Sequence, residues 1–302
     1  MRHVPWCLVL VGVLLLAGCD KFGFLRTKPD TARVAGPIPS AEQVTASLNQ
    51  NADLIHSIES TQVDLDCSQR LQSIGLDGKL VCQKPLNFRM SAKIGGSTMV
   101  DMGSNEQEFW FWISKADPPY LYHCAYRDYE AGKARLPFPF QPQWVMEALG
   151  MGVYDAKNCR VAAAKSGFFQ LVEPARGPDG RPVRKITVVR PASRPGQYEA
   201  IAHMLQDERG NEVCSAYVLA LQQDPTTGAI LPRQVQLTWP AEHIKMKMTL
   251  QATMVNGQIP AGRVAALFTR PSWQNIQSYD LARGPDSPAG QVQRTNARGF
   301  DR

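Results

Sequence analysis

The chain has no run of lysine and arginine, no long apolar span and no recognisable catalytic signature. Its 302 residues carry 33 Lys+Arg against 27 Asp+Glu, a net charge of +6. Those bases are scattered, whereas a nucleic-acid footprint needs them clustered, so nucleic acid is excluded as a partner. A phosphate-cradling glycine loop, GxGxxG, HExxH and GxSxG are all missing. Gly103-Ser104-Asn105-Glu106 lacks the second glycine of a nucleophile turn and reads as a strand-end turn. His56, His123, His203 and His243 are far apart at no metal-ligand spacing, and no CxxC pair occurs. These gaps predict no enzyme, no metal and no cofactor.

What is present starts at the N-terminus. Met1-Arg2-His3 is a basic start, and Val4 to Leu16 is an apolar run. Its thirteen residues span roughly 20 Å as a helix, short of the ~30 Å hydrocarbon core. The run therefore reads as a signal-peptide core. It ends in Leu16-Ala17-Gly18-Cys19, which resembles the bacterial lipobox. That resemblance implies cleavage of residues 1–18, lipidation of Cys19 and attachment to a membrane through the N-terminal lipid. The expected location is the cell envelope, facing the periplasm. Asp20 resembles an inner-membrane retention signal, but that rule varies between phyla, so inner and outer membrane both stay open. Residues 19–39, polar with three prolines, read as the lipidated cysteine and a flexible tether.

A helix is expected from Ser40, with Gln43 completing a capping box and Val44, Leu48, Ala52 and Ile55 forming its apolar stripe. From Thr61 the period becomes two. Val63, Leu65 and Cys67 alternate with polar residues up to a turn expected at Gly75-Leu76-Asp77-Gly78. Leu86 to Ile94 forms the clearest strand, followed by 97–102, 108–114 and 120–126. In the 108–114 strand Phe109, Phe111 and Ile113 point one way and Trp110 and Trp112 the other. Both faces are apolar, so a helix, a second layer or a ligand must cover the second one. Pro139–Gly150 is expected to be helical, with Pro142 in its first turn and Gly150 as its stop. Further strands are expected at 168–173, 182–190, 198–207, 212–222, 230–239 and 244–255. Periodicity is lost after Ser272.

Ten or eleven strands joined mostly as hairpins, with two helical segments, predict a mainly β fold: an antiparallel meander curled into an open barrel or half-barrel. The expected divisions are 1–18, 19–39, a domain over 40–272 and a disordered tail over 273–302. Of the seven cysteines, Cys7 leaves with the signal and Cys19 carries lipid. Cys67 and Cys82 flank the expected turn at similar distances, so a bridge between them is feasible, with free thiols as the alternative. Cys124–Cys159 is a weaker pairing.

Several segments resemble the LolA/LolB/LppX group of envelope lipoprotein-sorting proteins. Asp77-Gly78-Lys79-Leu80 leading into Lys84-Pro85-Leu86-Asn87-Phe88-Arg89-Met90 is similar to that group's hairpin. The 100–112 stretch is similar to uncharacterised members. Leu231-Pro232-Arg233, Val255-Asn256-Gly257 and Phe268-Thr269-Arg270-Pro271 follow in the same order. The resemblance implies a strongly curved antiparallel half-barrel with a helical lid, enclosing an apolar cavity for acyl chains of lipids or lipoproteins. Cys19 aligns the chain with the lipidated members. No motif matches LolA's transfer residues one for one, so none is carried over. Phe88, Met90, Phe109, Phe111, Trp144 and Leu149 are the cavity or lid candidates, with plain core as the alternative. The rival function is a structural or adaptor lipoprotein, which would have a filled barrel and an exposed Trp110/Trp112 patch that holds an envelope protein partner.

Overall fold

A computed structural model describes residues 37–137, 140–177 and 180–285. The expected signal, Cys19 and most of the tether lie outside them. Helix α1 (Ala41–Asp53) begins at Ser40, whose Oγ accepts from the Gln43 N–H while Gln43 Oε1 accepts from the Ser40 N–H. Its stripe is buried as expected.

The rest is one curved, open sheet. In chain order its strands are β1 (Ser57–Gln69), β2 (Gln72–Gln83), β3 (Asn87–Ile94), β4 (Ser97–Ser104), β5 (Glu108–Ile113), β6 (Leu121–Ala125), β7 (Arg160–Ala163), β8 (Phe169–Arg176), β9 (Pro182–Pro191), β10 (Tyr198–Gln206), β11 (Glu212–Gln223), β12 (Ile230–Trp239), β13 (Ile244–Leu250), β14 (Thr253–Val255), β15 (Ser278–Asp280) and β16 (Gly284–Pro285). Their spatial order is β16-β15-β6-β5-β4-β3-β2-β1-β13-β12-β11-β10-β9-β8-β7, and β14 continues the β13 edge along β1. Two meandering arms, β1–β6 and β7–β13, therefore join where β1 pairs with β13 (Val63↔Leu250 to Gln69↔Ile244). Among the described residues all strand pairs are antiparallel except β15 with β6.

Two connections follow from this order, and each crosses one face. Strand β6 lies near one edge and β7 at the other, so residues 126–159 must bridge the arms. They do so over the inner face, through α2 (Tyr126–Glu130), α3 (Pro142–Met146) and a wide turn at Glu147–Met151. Phe140 packs against Phe88 and Phe111 of the first arm at 6.2 Å, and Trp144 against Trp239 of the second at 6.3 Å. The helix expected over 139–150 is thus shorter, and Gly150 ends it with φ +90°. A left-handed residue there favours glycine.

The second connection runs from β14, beside β1, to β15, beyond β6. It crosses the outer face through α4 (Ala261–Leu267). Residues Glu59, Val81, Arg89, Gly103, Trp110 and His123 form one rung across that face, and the strap is pinned along it. Arg263 pairs with Glu59 at 2.5 Å. Arg89 donates to the Leu267 and Thr269 carbonyls (3.4 and 3.3 Å), and Asn105 donates to the Phe268 carbonyl. Arg270 lies 3.3 Å from Glu108, and Trp273 packs against Trp112 at 5.3 Å. This is what covers the second apolar face of β5. Trp110 is fully buried, laid across Gly103 and capped by the Arg89 guanidinium at 5.6 Å.

Three expectations need correction. The domain does not end at 272: residues 273–285 carry the end of the strap and two strands, and Leu281 is core. The aperiodic stretch looked like tail because a strap follows neither helical nor strand period. The β1–β2 turn lies at Arg70-Leu71, while Gly75 and Gly78 sit inside β2. A Cβ on Gly78 would meet Leu65 Cδ1 and the Ser91 carbonyl at 3.2 Å, so this glycine serves close approach and makes no turn. The Cys67–Cys82 bridge falls with the turn. Cys67 stands opposite Ile74 and Cys82 opposite Ile58, about 30 Å apart along β1 at ~3.3 Å per residue. Cys124 on β6 and Cys159 beside β7 lie on different arms, and all five cysteines among the described residues are free.

Candidate functional site

Alternation along the strands gives the sheet an apolar inner face. Val63, Leu80, Phe88, Met90, Phe109, Phe111, Leu237 and Met248 belong to one continuous core, completed by Trp144 and Leu149 from the crossover. The structure therefore brings together all six cavity or lid candidates, Phe88, Met90, Phe109, Phe111, Trp144 and Leu149, each 3% exposed or less. Four come from the sheet and two from its cover. In this closed arrangement they pack on one another, and the open space lies at the margins of the crossover.

Two cavities flank it. A smaller one, about 280 Å³, lies under α2 and α3 against β8–β10. Phe109 and Trp144 line it with Tyr126, Tyr129 and Leu205. The Trp144 Nε1–H is buried without a hydrogen-bond partner. The larger, about 440 Å³, is a half-open groove between α1, the 147–152 turn and β10–β12, and none of the six candidates lines it.

Glu147 borders both cavities. Its Oε2 accepts from Lys185 Nζ at 2.9 Å, and the same ammonium pairs with Glu173. All three side chains are 13–15% exposed. The group ties the crossover to β8 and β9, because Glu147 is on the 147–151 turn and the other two are on the sheet. Lys185 also stands 5.5 Å from the Tyr154 ring. Thr187 Oγ1 links to Tyr154 Oη at 3.5 Å and to His203 Nδ1 at 3.4 Å. Burial, and next the charge of Lys185, push His203 down to about 3, so its imidazole is neutral.

This cluster has none of the properties of an activated catalytic pair. A histidine protonating near 3 is a feeble general base at neutral pH. Cys159 Sγ donates to Glu173 at 3.4 Å, and burial raises its thiol, which opposes the thiolate form. The polar residues hold elements together and border space.

Sequence reasoning missed the Glu147–Lys185–Glu173 group, since three charges on three separate segments make no motif. It also missed Phe140, which lies in a proline-rich stretch without period. A sign of the strap was available in the doubly apolar β5, which demanded a second cover.

No family model matches the sequence, and no curated protein matches it. Solved structures do. A DUF1329 family protein from Desulfovibrio piger aligns at TM-score 0.50 and 9% identity, covering 75% of this chain and 97% of that one. The fold is that of this DUF1329 protein, one large curved, open antiparallel sheet with few helices. A putative outer membrane lipoprotein-sorting protein domain from Vibrio parahaemolyticus aligns at TM-score 0.49 and 8% identity over 75% of this chain and 98% of its own. The LolA superfamily protein NE2245 from Nitrosomonas europaea aligns at 0.45 and 7%, over 75% and 97%. At 9% identity the likeness to the DUF1329 protein is one of fold, and the curved, open antiparallel sheet agrees with the half-barrel expected from the sequence.

Proposed function

We propose that this protein is a non-catalytic envelope lipoprotein, tethered by lipid on Cys19, that shields acyl chains of lipids or lipoproteins on the inner face of its half-barrel. One observation carries the reading: the inner face is apolar across both arms, and its cover is a crossover outside the sheet. Such a cover can move without breaking a single strand pairing.

The energetics favour exchange. Phe140, Trp144, Val145, Met146, Leu149 and Met151 are buried by the crossover, and at ~1.5–3 kcal/mol each they contribute ~9–18 kcal/mol. An acyl chain of about sixteen carbons gains ~12 kcal/mol at ~0.8 kcal/mol per CH₂. Replacing cover by ligand is then close to balanced, as loading and unloading require. The adaptor reading named Trp110 and Trp112 as its interface, and the burial of Trp110 beneath the strap removes half of that surface.

The test is displacement of a fluorescent fatty acid from the chain produced without its lipid. Saturable binding with a blue-shifted, water-excluded probe is expected. Folded protein that leaves the probe in water refutes the carrier reading.

A further inference from the structure

The smaller cavity is graded from a polar mouth to an apolar back. Glu130, Gln143 and Arg176 are exposed at its rim, whereas Phe109, Trp144 and Leu205 are buried within it. Phe109 and Leu205 continue into the core of the inner face. Most of the polar liners inside the rim are already engaged. Lys185 is held by Glu147 and Glu173, Gln141 donates to the Tyr129 hydroxyl, and Arg176 donates to the Gly180 carbonyl at 3.1 Å.

Two liners are not. Trp144 Nε1 and Tyr126 Oη are buried atoms with no hydrogen-bond partner among the described residues. Trp144 is 3% exposed, and an indole N–H can only donate. The Ser104 hydroxyl beside Tyr126 gives its proton to the Leu86 carbonyl at 2.6 Å and reaches no hydrogen-bond geometry with the phenol. Burial pushes that phenol up to about 12, so it keeps a proton to donate. Two buried donors without an acceptor destabilise the closed protein, and an acceptor brought by a ligand relieves both. A carbonyl oxygen has two lone pairs and needs no proton of its own.

We propose that the smaller cavity receives the carbonyl end of a bound acyl chain, with the Trp144 Nε1–H and the Tyr126 hydroxyl donating to its oxygen. The chain then runs past Phe109 and Leu205 to the inner face, and the head group stays at the polar rim. This rests on the acyl-carrier reading and gives the bound chain a direction. The carbonyl comes from a free fatty acid or from an ester of a lipid or lipoprotein.

Displacement of the fluorescent fatty acid by decanoate, methyl decanoate and decane tests this on the full chain produced without its lipid. Tyr126→Phe and Trp144→Phe should each weaken a carbonyl ligand about fivefold or more, and leave decane within about twofold. Weakening of the methyl ester identifies an ester as the natural end, and weakening confined to decanoate a free acid. Tyr126→Phe should keep the melting temperature of the unliganded protein, since the hydroxyl it removes has no partner there. That variant also decides the matter should Trp144→Phe fail to fold. The infrared carbonyl stretch of bound methyl decanoate should lie below its value in alkane and return toward it in either variant. Variants that weaken decane as much as both carbonyl ligands, or a bound carbonyl stretch at the alkane value, overturn the proposal and leave the carrier reading intact. Failure of all three ligands to displace the probe refutes the carrier reading and this proposal with it.

Discussion

Lys185→Met should destabilise the protein strongly and free the crossover. Lys185 holds two carboxylates, Glu147 and Glu173, in surroundings where all three side chains are about six-sevenths buried. Methionine keeps the apolar stem but leaves both carboxylates facing each other without a cation. Removing one partner of a buried pair costs about 3–5 kcal/mol, and the residual exposure points to the lower end. For a domain of this size each kcal/mol lowers the melting temperature by ~2–4 °C, so a fall of about 6–12 °C is expected. Glu147→Gln alone should cost less, because Lys185 keeps Glu173. In the Lys185→Met background it should restore part of the loss by removing one stranded charge. Thermal melts of the four proteins give the coupling, expected above about 1 kcal/mol. The fatty-acid on-rate should rise in Lys185→Met as the crossover detaches. Additive single effects, or a melting shift under about 2 °C, would show that the ion pair does not secure the cover.

Further outcomes follow from particular residues. His203 is held near 3 by burial against an unfolded value near 6.5. Its folded-state value is lowered, so the unfolded state binds the extra proton between those limits and stability falls as pH drops through that window. Between pH 7.5 and 5 this costs about 2 kcal/mol, which denaturant titrations of His203→Asn should show as a flatter profile. Gly103→Ala would put a Cβ 2.3 Å from Trp110 Cζ2, and a loss of about 1–3 kcal/mol in urea unfolding is expected. Alkylation without reductant should modify Cys67 first in the native protein and all five of Cys67, Cys82, Cys124, Cys159 and Cys214 once it is unfolded. A mass corresponding to an intact bridge between any two of them would contradict the strand register.

Much of the local structure was legible because it rests on short-range chemistry. The capping box at Ser40 and the alternation of Phe88, Met90 and Ala92 depend on neighbours a few residues away. The curl of the sheet was readable from the number of hairpins, and the need for a second cover from the two apolar faces of β5. The pairing of β1 with β13, the parallel addition of β15 and the strap's path were not readable, since each joins segments with no shared local pattern. The glycines at 75 and 78 misled for a related reason. Gly78 admits its neighbouring strands and Gly75 lies in open space, yet in sequence both look like glycines that reverse the chain, and the misplaced turn carried the Cys67–Cys82 bridge with it. The six cavity candidates did come together, because apolar alternation reports which face a residue shares, though not whether ligand or protein fills the space beside it.

The seam between β1 and β13 has a consequence for how the chain reaches this shape. Val63 waits for Leu250, and Trp110 for the strap after residue 261, so neither arm is complete until almost the whole chain is available. Such long-range pairing makes for slow folding and prolonged exposure of apolar strands. The sheet therefore cannot close on a partly delivered polypeptide: closure waits for Leu250 and for the strap that seals Trp110.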